Sequence, residues 1–152
     1  MEMKVISTEV SLKHKAFEIY VSGCRAPHCA GCHNPESWDF SKGTEVTPEW
    51  IEGIKRQITE AGDMIENIWL LGGEPLHQVP FEVANMLREL KPLNKKVWLF
   101  TRYEFGDVPR IILKYLYAVK TGAYIQEEAM ENYESHGIPL ASKNQRIYLT
   151  QE

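Results

Sequence analysis

The chain reads as an α/β protein built on a partial, open parallel β/α barrel, and three observations support this. Short continuous apolar runs at residues 68–71 and 97–100 have the composition of strands buried on both faces. Stretches with apolar residues at helical spacing lie between such runs. Strands alternating with helices imply parallel βαβ units with right-handed crossovers, and about five strands are too few to close an eight-stranded barrel.

The elements follow in order. Residues 17–22, FEIYVS, are rich in β-branched and aromatic side chains and predict a strand ending at Gly23. Thr47 caps a helix with Pro48 at its first position, Ile51, Ile54 and Ile58 share one face, and Gly62 stops it. The apolar run at 68–71 is a strand, closed by the turn Gly72-Gly73-Glu74-Pro75. Val83, Met86, Leu87 and Leu90 predict a second helix, with Pro92 beyond its end. Residues 97–100 form the next strand and lead to Thr101 and Arg102. Ile111, Ile112, Tyr115 and Leu116 predict a third helix. Residues 117–119 follow as a strand with Lys120 near its C-terminal end. A helical stretch is expected over 127–135, before a last strand at 146–149. No repeat, low-complexity tract or linker-like run interrupts the chain, so residues 1–152 are expected to form a single domain.

Composition narrows the setting. Hydrophobic residues at 43% and charged residues at 25% are ordinary for a soluble globular protein. A net charge of −4 provides no basic footprint, which argues against nucleic acid as a partner. No apolar stretch has the length of a signal-peptide core or a bilayer span, so no membrane role is expected and the expected location is cytoplasmic.

All three cysteines of the chain, Cys24, Cys29 and Cys32, fall within nine consecutive residues, in GCRAPHCAGCHNPESWDF. Disulfides would pair two at most, and a cytoplasmic protein keeps thiols reduced. Three thiolates form an incomplete tetrahedral set, and a metal centre held that way keeps one position open. On the cysteines alone, a zinc site completed by His28 or His33 stands level with a cluster. The Gly-Gly-Glu-Pro segment alone reads equally as a tight turn, and Lys120 alone as a surface lysine. Trp38, Trp69 and Trp98 read as core residues, and His14, His77 and His136 as structural or solvated. The cysteine stretch, the Gly-Gly-Glu-Pro turn, Thr101 and Lys120 nevertheless each follow the carboxyl end of a predicted strand, the edge where parallel α/β folds bind ligands.

The cysteine cluster after the first of these strands, with a GGEP turn after the second, resembles the radical S-adenosylmethionine enzymes. The longer match of GCHNPESWDF, GGEP, WLFTRYEF and SKNQRI resembles the activases of anaerobic ribonucleotide reductase and runs from about residue 20 to 149. That resemblance implies a radical enzyme with a [4Fe–4S] cluster on Cys24, Cys29 and Cys32. It also implies S-adenosyl-L-methionine on the fourth iron. The partner implied is a glycyl-radical enzyme, anaerobic ribonucleotide reductase, with an electron donor such as flavodoxin or ferredoxin. It places Gly72 and Gly73 near the methionine ammonium, Glu74 at that ammonium or bracing the loop, and His33 and Asn34 near the adenine or the cluster loop. Thr101 is placed at the methionine carboxylate or ribose, and Asn144, Gln145 and Arg146 in the family's end motif.

The chain departs from its apparent relatives in three places. Four residues, 25–28, separate the first two cysteines where three are usual. SLKHKAFEIY replaces a Gly-Pro-Gly segment, and Lys120 stands where an acidic residue is common. Two other functions stay open at this point. One is a radical enzyme with its own small-molecule or peptide substrate, the other a non-catalytic zinc or iron–sulfur module.

Overall fold

A computed structural model describes residues 3–25 and 38–150 of the chain. The chain enters through an antiparallel hairpin, β1 (Lys4–Ser11) and β2 (Ala16–Val21), and β3 (Thr44–Glu45) adds to the outer side of β1. It then alternates through α1 (Pro48–Ala61), β4 (Asn67–Gly72), α2 (Pro80–Leu90), β5 (Lys96–Phe100), α3 (Arg110–Leu113) and β6 (Ala118–Thr121). Strands β2, β4, β5 and β6 pair parallel in that order. A small antiparallel hairpin, β7 (Glu134–Ser135) and β8 (Ile138–Pro139), precedes β9 (Arg146–Leu149), which pairs antiparallel with β6. The main sheet has seven strands in the order β3-β1-β2-β4-β5-β6-β9. It is mixed, with a parallel centre and antiparallel edges.

Local chemistry accounts for the helices. The Thr47 side chain accepts the Trp50 amide at 3.0 Å, Pro48 opens α1, and Gly62 ends it at φ 57°. Ile51, Ile54 and Ile58 are buried, as their spacing requires. Pro80 opens α2, which buries Val83, Met86, Leu87 and Leu90.

The sheet has two apolar faces. Phe17, Ile19, Val21, Ile68, Leu70, Val97, Leu99 and Val119 pack against the buried faces of α1 and α2. On the opposite face Trp69 and Trp98 pair across β4 and β5, with Ala118 and Ile147 in the same cluster. Ile138 and Leu140 cover them from the C-terminal segment. Each such aliphatic side chain contributes about 1.5–3 kcal/mol by leaving water.

The structure departs from the sequence expectations in four places. A strand, β1, precedes the first expected one. Its second half, residues 8–11, is at most partly buried and mostly polar, so the sequence carries no apolar run to mark it. The third helix is shorter than expected and stops at Leu113, although Leu116 is buried beyond it. The segment expected to be helical over 127–135 is instead a helical turn at Gln126–Glu128 followed by the β7–β8 hairpin. Asn132 and His136 adopt positive φ there, and the apolar residues around them fold onto the two tryptophans. Finally, the last strand runs antiparallel, since no helix lies between β6 and β9 to carry the chain back across the sheet.

Candidate functional site

Strand β2 delivers the cysteine stretch to the carboxyl rim of the parallel strands. Gly23 follows it at φ 113°, and a Cβ there would lie 2.1 Å from the Phe40 ring, so the turn requires glycine. Cys24 comes next, partly buried, and its amide donates to the Trp38 carbonyl at 3.1 Å. The two stems of the cysteine stretch are thereby joined at its base. Cys29, Cys32, His33 and Asn34 lie outside the described residues. Among the described residues no three His, Cys, Asp or Glu side chains are arranged to hold a metal ion.

The Gly-Gly-Glu-Pro turn lies against the same stem. Gly72, at φ 120°, brings β4 so close to β2 that a Cβ would stand 2.5 Å from the Val21 nitrogen. The Gly73 amide donates to the Val21 carbonyl at 2.9 Å, and the Glu74 amide to the Gly23 carbonyl at 2.8 Å. The turn therefore continues the β2–β4 pairing up to the residue before Cys24.

Glu74 is 2% exposed, and its carboxylate holds the rim together. One oxygen accepts from the Thr101 hydroxyl at 2.6 Å and the Leu76 amide at 3.0 Å, and the other from the Arg102 amide at 2.9 Å. Burial pushes its carboxyl above the ordinary value, and these donors pull the other way without cancelling the effect. Thr101 is buried as well. Its hydroxyl oxygen accepts the Tyr103 amide at 3.2 Å, and its own amide donates to the Lys120 carbonyl at 2.9 Å.

Lys120 sits within β6, opposite Phe100 on one side and Ile147 on the other. Strand alternation puts it on the face of Ala118 and the tryptophans, away from α1 and α2. Tyr20 occupies the same face of β2, opposite Leu71, and its hydroxyl donates to Glu18 at 2.9 Å. Burial, reinforced by Glu18, pushes the Tyr20 phenol upward and keeps it protonated.

A second group of side chains, which the sequence did not single out for the site, meets beside Cys24. The Arg25 amide donates to His77 Nδ1 at 2.8 Å, and the Arg102 guanidinium donates to the Arg25 carbonyl at 3.1 Å. His77 Nε2 meets the Tyr103 hydroxyl at 2.5 Å, their rings edge to face, and Arg102 also donates to that hydroxyl at 3.3 Å. Only the nearness of His77 to the Gly-Gly-Glu-Pro turn in sequence hinted at this.

The end motif acts within the fold. Gln145, 2% exposed, accepts the Ala141 amide at 2.8 Å and donates to the Gly122 carbonyl at 3.1 Å. Asn144 donates to the Ala123 carbonyl at 2.8 Å. Together they tie down the loop that leaves β6 just beyond Lys120.

A cysteine triplet on one stretch, its stems bonded at the rim of a mostly parallel sheet, has the donor set of an iron–sulfur protein. Three soft thiolates suit iron and leave one metal position for another ligand. A family model described as a 4Fe-4S single cluster domain matches residues 15–148. The anaerobic ribonucleoside-triphosphate reductase-activating protein of Vibrio cholerae is 30% identical over 136 residues, 86% of this chain and 84% of that protein. Its namesake from Haemophilus influenzae is 30% identical over 73% of this chain and 75% of its own length. The namesake from Escherichia coli is 27% identical over 59% and 60%. The chain belongs to the 4Fe–4S single-cluster family and, within it, to the anaerobic ribonucleoside-triphosphate reductase-activating proteins. The metal centre is thus a cluster, not zinc.

Proposed function

We propose that the chain is a radical S-adenosylmethionine activase that generates a glycyl radical on anaerobic ribonucleoside-triphosphate reductase. The observation that carries this reading is the likeness to the Vibrio cholerae activating protein across 86% of a chain that itself bears three clustered cysteines. Cys24, Cys29 and Cys32 would hold three irons of one [4Fe–4S] cluster. With S-adenosylmethionine bound, the cluster supplies one-electron cleavage of a carbon–sulfur bond, yielding methionine and a 5′-deoxyadenosyl radical able to take hydrogen from a partner's glycine.

The protein's own residues bind and orient. Gly72 and Gly73 carry the turn whose backbone carbonyls we assign to the methionine ammonium. Glu74 braces that turn through three donors. The Thr101 hydroxyl is committed to Glu74, so its share in the site is to hold that carboxylate. Lys120 offers the methionine carboxylate a cation. His33 and Asn34 are assigned to the adenine or the cluster loop.

The mixed sheet is read as the open, partial barrel of radical S-adenosylmethionine enzymes, in one domain over residues 1–152. We assign its carboxyl rim to the docking of a large partner. The electron comes from a donor such as flavodoxin or ferredoxin. Among the described residues no helix is long and apolar enough to cross a membrane. The activase reading assigns the protein to the cytoplasm.

The test is to mix reduced protein, S-adenosylmethionine and the anaerobic reductase of the same source. A doublet radical signal in electron paramagnetic resonance is expected. Cofactor cleavage without a radical on the reductase would overturn the reading.

A further inference from the structure

We infer that His77 and Arg102, with Tyr103 behind them, clamp the backbone of Arg25 and so position Cys24 for its iron; this rests on the cluster assignment above. Arg25 is the first residue after Cys24 and lies outside the sheet, so no ladder pairs its amide and carbonyl. Both are held by side chains instead. His77 Nδ1 takes the N–H at 2.8 Å and Arg102 donates to the C=O at 3.1 Å. The two clamping residues come from different strand-end loops, after β4 and after β5. The N–H belongs to the peptide that joins Cys24 to Arg25 and the C=O to the peptide after it, so the planes on both sides of the Arg25 Cα are held, and rotating the first would swing the Cys24 thiol.

The grip is itself fixed. His77, 8% exposed, donates its own amide to the Glu74 carbonyl at 3.0 Å. The Arg102 amide is held by the buried Glu74 carboxylate at 2.9 Å. One carboxyl-bearing residue thus anchors both jaws. The tautomer of His77 follows from its partner, because an N–H of Arg25 needs a lone pair on Nδ1. The proton therefore sits on Nε2 and faces the Tyr103 hydroxyl. The Arg102 guanidinium lies over the Tyr103 ring, 5.2 Å from its centroid, which restrains it in turn.

Arg102 also brings charge. Cys24 Sγ lies 3.9 Å from the same Arg25 carbonyl oxygen that Arg102 holds. A thiolate bound to iron has no proton to donate to that oxygen, so the carbonyl would lean on Arg102. A fixed cation beside a residue that holds the cluster would stabilise the reduced, more negative state and raise its potential.

The test uses the full chain, reconstituted anaerobically with iron and sulfide, and reads cluster retention under a chelator and the midpoint potential. His77→Ala should lose the cluster about ten- to a hundredfold faster than wild type, the usual effect of removing a group that orients a ligand. His77→Asn, whose side-chain oxygen stands near the place of Nδ1, should recover most of the retention. Arg102→Met should shift the potential downward, and Arg102→Lys should shift it less. Circular dichroism and melting of the apoproteins report folding. If His77→Ala does not fold, Arg102→Met decides, since its side chain is partly exposed. Variants that fold and match wild type in retention and potential would overturn the clamp while leaving the activase reading intact. A wild-type protein that takes up no cluster would overturn both.

Discussion

The Thr101 hydroxyl donates to the Glu74 carboxylate at 2.6 Å, joining the ends of β4 and β5 through two buried side chains. A hydrogen bond to a buried charge contributes more than a neutral one, because its loss leaves the carboxylate short of a donor in a dry place. Thr101→Val keeps the shape and removes the donor. Equilibrium unfolding of the apoprotein should show a loss of about 1.5–3 kcal/mol. Thr101→Ser should stay near wild type, and equal losses in both variants would point to packing.

The same carboxylate links stability to pH. Burial raises its pKa in the folded state, so the native protein binds that proton more tightly than the unfolded chain does. The stabilisation that follows is fully present below the unfolded carboxylate's pKa and is lost as pH rises through the folded one. Glu74→Gln cannot titrate there. The stability of wild type relative to Glu74→Gln should therefore be greatest in acid and should fall as pH rises across that window. A constant difference would show that Glu74 keeps its ordinary pKa.

Some of this was legible in the sequence for a physical reason. Residues 68–71 and 97–100 are central strands buried on both faces, which forces an uninterrupted apolar run. Ile51, Ile54 and Ile58 face one core from one helix, which forces their spacing. Strand β1, flanked on its outer side by the two-residue β3 alone, and the two-residue strands β7 and β8 bury too little to impose a pattern. At the site, the cysteine stretch and the Gly-Gly-Glu-Pro turn could be brought together because each follows a strand and strand order sets the rim. The clamp on Arg25 could not be anticipated, because His77 and Arg102 grip backbone atoms. A side chain that bonds to backbone leaves no complementary residue type in the sequence to search for.

The cysteines carry the sharpest compositional prediction. Anaerobic reconstitution should load about four irons and four sulfides per chain, with broad brown absorbance that fades on reduction. Cys24→Ala, Cys29→Ala and Cys32→Ala should each abolish cleavage of S-adenosylmethionine, as should stripping iron with a chelator. Stoichiometric zinc in anaerobically purified protein that refuses iron and sulfide would contradict the assignment.

Lys120 is where the chain departs from its apparent relatives, and it lies on the sheet face opposite α1 and α2, beside Phe100 and just below the rim. An acidic side chain near the methionine carboxylate would need a cation between them, because two anions at close range repel. A lysine there supplies the positive charge directly. The backbone supports the placement. The Lys120 carbonyl holds the Thr101 amide at 2.9 Å, and Gln145 and Asn144 pin the loop that follows at Gly122 and Ala123. The backbone around Lys120 is thus fixed, on the face opposite α1 and α2. Cofactor affinity in wild type should then be indifferent to added sodium or potassium. Lys120→Met, titrated by equilibrium binding on the cluster-loaded protein, should bind about ten- to a hundredfold more weakly, the equivalent of losing a charge-assisted contact of about 1.5–3 kcal/mol. Equal affinities in wild type and variant would remove Lys120 from the site, and a wild type that tightens with monovalent salt would show that an ion does its work.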